Sequence, residues 1–171
     1  MFWGRVVNFV TPLGIMILAL AFTCSSAKDS ARFAADAAQS GMTEVELGKL
    51  AIQRGVDPTV KEFGQRMIAD HSRANNELKA VAAKKNIELP SDLSSTQKST
   101  IDRLAKLSGT EFDKEYMSDM VKDHEEDVEE FQTQANKGTD AEIKAFAGKA
   151  LQTLQSHLQM AREVAKKIGA Q

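Results

Sequence analysis

The sequence predicts an all-α protein, a bundle of four long helices with one shorter helix between the second and the third. Ala, Lys, Glu, Gln and Leu are abundant and Pro occurs only three times, a composition that favours helices. Apolar residues recur at steps of three and four, which places them along one side of a helix. No segment alternates apolar and polar residues as a strand would. Four helices that each bury one apolar stripe are satisfied by a four-helix bundle.

The first 27 residues have the pattern of a secretory signal, so the sequence predicts a signal peptide over 1–27 and a folded domain over 28–171. Arg5 is the only charge in this stretch, and an apolar run follows it and ends in small residues. Two processing sites stay open: cleavage after Ala27, or lipoprotein-type cleavage before Cys24 with acylation of that Cys. Both predict an exported protein, periplasmic or associated with the outer membrane, that meets a membrane only through its signal or lipid anchor.

The charge and the residue composition argue against several kinds of partner and of catalytic site. The net charge is -2 and no basic stripe is present, so we expect no nucleic acid partner. The sequence contains no glycine-rich phosphate loop, and its single Cys lies in the signal. Nothing in it identifies a protein partner or an oligomeric state.

Capping signals place the helix boundaries. The first helix begins near Ser30, and we expect Gly55 to end it in a left-handed turn. Asp57-Pro58 should open helix two, which runs to about Asn86, and a Ser94/Gln97 capping box should open the short helix, which runs to about Leu107. We expect Thr110 and Asp113 to cap helix three, which ends at Gly138. Thr139 and Glu142 should cap helix four.

Each of the last three long helices carries one His inside its apolar stripe. "KEFGQRMIADH" ends at His71, and "KEYMSDMVKDH" repeats its pattern and ends at His124. His157 lies in the seam of helix four. On helix one, Glu44 lies near the middle of the apolar face, and Asp127 lies one turn after His124 at the edge of its stripe.

These polar residues reach similar depths if the segment between helices two and three crosses the length of the bundle. Helices two and three would then start from the same end, and Glu44 and the three histidines would form one layer. Three neutral imidazoles with one or two carboxylates suit Zn, Fe or Mn. The candidate metal ligands are therefore Glu44, His71, His124, His157 and Asp127. Two alternatives stay open: a metal-free layer held by hydrogen bonds, and unrelated core histidines.

Two further carboxylates, Asp70 and Asp123, each precede a His at the margin of its stripe. Each is either a hydrogen-bond partner of a ring nitrogen or an ordinary helix-edge residue.

Four segments resemble the bacterial exported family called domain of unknown function 4142, whose members are often labelled outer membrane proteins. They are "GMTEVELGKLA", "VKEFGQRMIADHSRANNELK", "LSGTEFDKEYMSDMVKDHEEDVEEF" and "IKAFAGKALQTLQSHLQMA". The resemblance implies a ferritin-like four-helix domain behind a signal or lipoprotein peptide, without a settled activity. Ile68, Val121 and Leu154 stand where the Glu-x-x-His motifs of di-iron proteins would have Glu, so a standard di-iron centre is not expected.

The sequence therefore favours a non-enzymatic exported helical-bundle protein whose buried His/Glu layer binds a divalent metal. One alternative is a metal-dependent oxidase or peroxide-handling enzyme of ferritin-like fold. Another is a metal-free interaction or stress module of the cell envelope, in which the histidines only fix the register of the helices.

Overall fold

The structure is a computed structural model that describes the backbone of residues 17–170 and the side chains of residues 28–170. It confirms the all-α architecture, with four long helices that pack in pairs and a short helix between the second and the third long helix. The helices are α1 (Ile17–Arg54), α2 (Pro58–Lys84), α3 (Ser95–Leu104), α4 (Gly109–Lys137) and α5 (Ala141–Ile168).

The pairs are α1 with α2 and α4 with α5. Glycines allow the first pair to approach closely: a Cβ added at Gly64 would lie 2.8 Å from the backbone oxygen of Gly48 on the facing helix. This close approach fixes how α1 and α2 are rotated relative to each other, and therefore which of their side chains face the second pair.

The core is divided into two apolar clusters at opposite ends of the bundle. Val60 at the start of α2 and Phe112 at the start of α4 belong to one cluster. Leu78 and Phe131, near the other ends of the same helices, belong to the second. Helices α2 and α4 therefore run in the same direction, and the segment that joins them crosses the length of the bundle. This is the condition under which Glu44 and the three histidines were expected at similar depths.

The buried polar residues lie between the two clusters. On α4, His124 falls between Met120 of the first cluster and Phe131 of the second. On α5, His157 falls between Ala161 and Leu154 in the same way. The middle of the bundle is thus a polar layer enclosed by apolar side chains, which limits access of water to it.

Several predicted helix ends are confirmed. Asp57 caps α2 and accepts a hydrogen bond from the backbone of Thr59, with Pro58 at the first helical position. Ser94 and Gln97 form the predicted capping box of α3. These local motifs succeed because each needs only residues a few positions apart.

Other predicted ends are wrong. Helix α1 begins at Ile17, well before Ser30, and Gly55 after it does not adopt a left-handed conformation; among the described residues Asn86, Gly109 and Gly169 have positive φ. Helices α2 and α3 end slightly before the expected Asn86 and Leu107. The cap of α5 is Asp140 rather than Thr139, because its carboxylate accepts from two backbone amides of the first turn.

The predicted cap of α4 is also wrong, because Asp113 has a different partner. Helix α4 begins after Ser108, whose side chain makes no capping bond. The buried carboxylate of Asp113 instead accepts backbone N–H bonds from Val56, at 3.1 and 3.2 Å, and from Asp57, at 2.8 Å. This contact fastens the α1–α2 connection to the start of α4.

The N-terminal predictions fall largely outside what the structure describes. Residues 1–16 are outside it, while the backbone around Cys24 and Ala27 belongs to α1. Processing at either residue stays a prediction. None of the helices in residues 17–170 has the length and apolar character needed to cross a bilayer.

Candidate metal centre

Three histidines from three helices converge in the polar layer. His71 of α2, His124 of α4 and His157 of α5 each offer a ring nitrogen, and these nitrogens all lie within 4.8 Å of one another. The ring centroids are 5.4 to 5.8 Å apart. The exposed fraction is 0% for His124, 1% for His157 and 7% for His71, so the cluster is enclosed by the protein.

Hydrogen bonds fix the tautomers of two of the rings. His124 Nδ1 lies 2.9 Å from the backbone carbonyl oxygen of Met120, so it must donate and carry the proton. His157 Nε2 lies 3.0 Å from a carboxylate oxygen of Asp70 and donates in the same way. The opposite nitrogens, His124 Nε2 and His157 Nδ1, therefore hold free lone pairs.

Within residues 28–170, no protein group donates a hydrogen bond to those lone pairs. His124 Nε2, His157 Nδ1 and His71 Nε2 are all buried without a hydrogen-bond partner among the described residues. A hydrogen-bonded layer of histidines, one of the alternatives left open by the sequence, would have paired at least some of these atoms. One ring nitrogen from each of the three residues lies within 4.8 Å of the other two, so the group is compact enough for one ion.

Asp70 is held by two arginines on its own helix. Arg66 Nε donates to one carboxylate oxygen and Arg73 Nη2 to the other, both at 2.5 Å. Burial of Asp70 raises its pKa, but the hydrogen bonds from His157 and Arg66 outweigh this and the pKa is lowered overall. The ionised carboxylate thus keeps the proton of His157 on Nε2. Of the two interpretations of Asp70, the hydrogen bond to a ring nitrogen is confirmed.

The environment keeps the three imidazoles neutral. Burial, followed by the neighbouring histidines, lowers the pKa of His71 to about 3. Burial and then His157 lower that of His124 to about 4. Burial also lowers the pKa of His157, against the raising effect of Asp70. Neutral imidazole is the form that binds a metal.

Glu44 is buried, as its position in the stripe predicted, but it is not in the group of histidine nitrogens. It is 2% exposed and its Oε2 has no hydrogen-bond partner. Burial raises its pKa well above the ordinary value, and the acidic residues Asp127, Asp123 and Asp119 of α4 raise it further. Glu44 therefore lies near the acidic residues of α4, and both burial and these charges favour the protonated form of its carboxyl group.

Asp127 and Asp123 are likewise outside the histidine group. Asp127 accepts a hydrogen bond of 3.1 Å from the hydroxyl of Ser40, and burial raises its pKa to about 7 despite that bond. Burial raises the pKa of Asp123 to about 6, and the nearby Asp119 adds to it. Asp123 makes no hydrogen bond to a ring nitrogen of the three histidines, so the structure favours the interpretation of Asp123 as an ordinary residue at the edge of its helix stripe.

A cavity adjoins the histidines. Its volume is 110 Å³, and His71, His157, Asp127 and Ser40 are among the residues that line it. Asp127 therefore shares a cavity with two of the histidines although it is not within their group.

Sequence reasoning missed the residues that support the histidines. Arg66 and Arg73 lie four residues before and three after Asp70, a spacing that places all three on one side of α2, and this could have indicated the ion pairs. The contact of Ser40 with Asp127 joins different helices, and no local pattern indicates it.

Comparison with known proteins identifies the family. The family described as "domain of unknown function (DUF4142)" matches residues 19–164. The chain belongs to the DUF4142 family. A crystal structure of a DUF305 protein from Streptomyces coelicolor, described as secreted, is similar in fold: the TM-score is 0.70, with 16% identity over 81% of this chain and 91% of that one. Among curated proteins, none matches the chain in sequence.

The donor set of this DUF4142 protein can hold a metal ion. Zinc binds imidazole nitrogen at about 2.0–2.1 Å in tetrahedral geometry, which places two donor nitrogens about 3.4 Å apart. That spacing lies within the 4.8 Å bound that the three nitrogens satisfy. Because the group contains no carboxylate, it differs from the carboxylate-rich di-iron centre of ferritin-like proteins.

Proposed function

We propose that this protein is an exported helical-bundle protein that binds one divalent metal ion through His71, His124 and His157. The observation that carries the proposal is the convergence of three buried histidines, each of which offers one ring nitrogen within 4.8 Å of the other two. Each ring also has a buried nitrogen that finds no hydrogen-bond partner in the described part of the chain. In His124 and His157 the hydrogen bond made by one ring nitrogen leaves the other nitrogen with the free lone pair.

The cost of leaving these atoms unpaired supports a bound ion. A buried polar atom without a partner costs about 1–3 kcal/mol. Three such atoms carry that cost three times, and a single ion bound by all three would remove it. If the three were unrelated core histidines, we would not expect ring nitrogens from three different helices to lie this close together.

Zinc is the metal that the donors suit best. Imidazole nitrogen suits zinc, copper, iron and nickel, whereas manganese prefers carboxylate and water oxygen. Three protein ligands with a fourth position left for an exogenous group is an arrangement typical of zinc. The carboxylate of Asp70 behind His157 matches the partner that metal-binding histidines commonly have.

Export is supported by two observations. The first 27 residues have the charge and apolar pattern of a secretory signal. A protein of similar fold is described as secreted. Cell fractionation and the mass of the exported chain test this part: a chain that stays in the cytoplasm with its N-terminus intact contradicts it.

Calorimetric titration of the purified protein with zinc tests the binding. We expect about one ion per chain, and we expect the His71→Ala variant to lose this binding while keeping its helical circular dichroism. Glu44→Gln is the matched control, since it changes a buried polar residue outside the group and should bind zinc as wild type does. Loss of zinc in the control alone would move the site to Glu44.

A further inference from the structure

We propose that the cavity beside the histidines receives a small organic monoanion, a short-chain carboxylate, as the exchangeable fourth ligand of the metal. This inference rests on the proposed metal binding and adds the chemical class of the ligand. It is carried by three features of the site: the position of the cavity, the charge around it and the apolar residues of its wall.

The cavity meets the metal site from one side. His71 and His157 line it, whereas His124 does not. His71 is also the most exposed of the three, at 7% against 0% and 1%. A ligand in the cavity would therefore reach an ion held by the three nitrogens from the side of His71 and His157.

The charges around the cavity favour an anion. All three donors are neutral imidazoles, so no metal ligand offsets the two positive charges of a divalent ion. Two of the lining carboxylates already have cationic partners: Asp70 pairs with Arg73, and Glu77 with Lys149 at 2.8 Å.

Asp127 is the remaining lining carboxylate, and it accepts a hydrogen bond from Ser40. Even fully ionised, it would supply one negative charge against two, which leaves room for a monoanion at the metal.

Part of the cavity wall is apolar. Phe131, Phe146 and Leu154 line the cavity together with Ala37 and Ala150. An inorganic anion would leave this surface against water, whereas a short hydrocarbon chain would cover it. A carboxylate with two or three carbons beyond its head satisfies both parts of the cavity, with the head at the metal and the chain along the phenylalanine rings.

The test uses cobalt(II) in place of zinc, because the visible absorption of cobalt(II) changes when its fourth ligand changes. The cobalt-loaded protein is titrated separately with acetate and with butyrate. Butyrate has two more methylene groups, each contributing about 0.8 kcal/mol when buried, so we expect it to bind about tenfold more tightly than acetate.

Ala150→Leu places a larger side chain in the cavity. This variant should bind cobalt as wild type does and lose the advantage of butyrate. Ala145→Leu makes the same change on an exposed face of the same helix and should behave as wild type.

The outcomes distinguish the metal site from the ligand proposed for it. If cobalt binds and neither carboxylate changes its spectrum, the inference is overturned and the metal site stands. Equal affinity for acetate and butyrate overturns the assignment of an apolar chain to the wall. If cobalt does not bind at all, the metal site and the ligand inference both fail.

Discussion

Replacing Asp70 by Asn tests how the protein orients a metal-binding ring. The carboxylate accepts the Nε2 proton of His157 at 3.0 Å, and this bond leaves Nδ1 free for the metal. Changing such an outer partner commonly lowers metal affinity about 10- to 100-fold, or about 1.4–2.7 kcal/mol. Because Arg66 and Arg73 are largely exposed, freeing them adds little to the cost, and the effect should come through the ring.

The assay is a competition titration of zinc between the protein and a chelator of known affinity, with helical content followed by circular dichroism. Glu62→Gln is the control, since it removes a carboxylate from the exposed face of the same helix. We expect Asp70→Asn to bind zinc at least tenfold more weakly than the control. Equal affinity in a folded Asp70→Asn variant would refute the role given to this carboxylate.

Three further predictions concern the packing, the α1–α2 connection and pH. Gly64→Ala should lower the free energy of unfolding by about 1–3 kcal/mol, because the new Cβ would lie 2.7 Å from a side-chain atom of α1. Asp113→Ala should lower it by about 1–3 kcal/mol, because it removes the buried carboxylate that accepts from the part-buried amides of Val56 and Asp57. Zinc affinity should fall less than about tenfold between pH 7 and 5.5, because His71 and His124, with pKa values of about 3 and 4, bind no proton there. Three ordinary imidazoles would lose affinity several hundredfold over the same range, because each must release a proton.

Each of these has a matched control. Gly148→Ala adds a methyl group that would lie 3.9 Å from the Cβ of Ala135, an ordinary contact, so urea denaturation should show a stability gain of roughly 0.5–1 kcal/mol. Equal losses at Gly64 and Gly148 would contradict the close approach of α1 and α2. Asp102→Ala, on an exposed face of α3, should leave stability unchanged. A steep loss of zinc affinity below pH 6.5 would show that the histidines titrate normally.

The sequence was sufficient to predict the helices and the burial of the histidines and Glu44, while it allowed the direction of α4 without deciding it. Apolar spacing places His71, His124 and His157 in their stripes, and the length of the connection allows it to cross the bundle. Helical periodicity states which side of a helix a residue occupies. It does not state where along the bundle two side chains meet or in which direction they extend.

This limit of helical periodicity explains why Glu44 and Asp127, two predicted metal ligands, lie outside the group of histidine nitrogens. Glu44 is buried as predicted, but it lies near the acidic residues of α4. Asp127, at the edge of its stripe, is hydrogen-bonded to Ser40 of α1. Asp113 shows the same limit at a helix end, because a capping residue and an acceptor for a distant loop have the same residue type and cannot be told apart locally.

X-ray absorption spectroscopy of the zinc-loaded protein tests the central claim most directly. If His71, His124 and His157 hold the ion, the zinc edge should show nitrogen or oxygen donors at about 2.0–2.1 Å with outer-shell scattering from three imidazoles. The His124→Ala variant should lose this signal, while Glu44→Gln should keep it. A shell of oxygen donors without imidazole scattering, or a signal that survives in His124→Ala, would contradict a metal centre built from the three histidines.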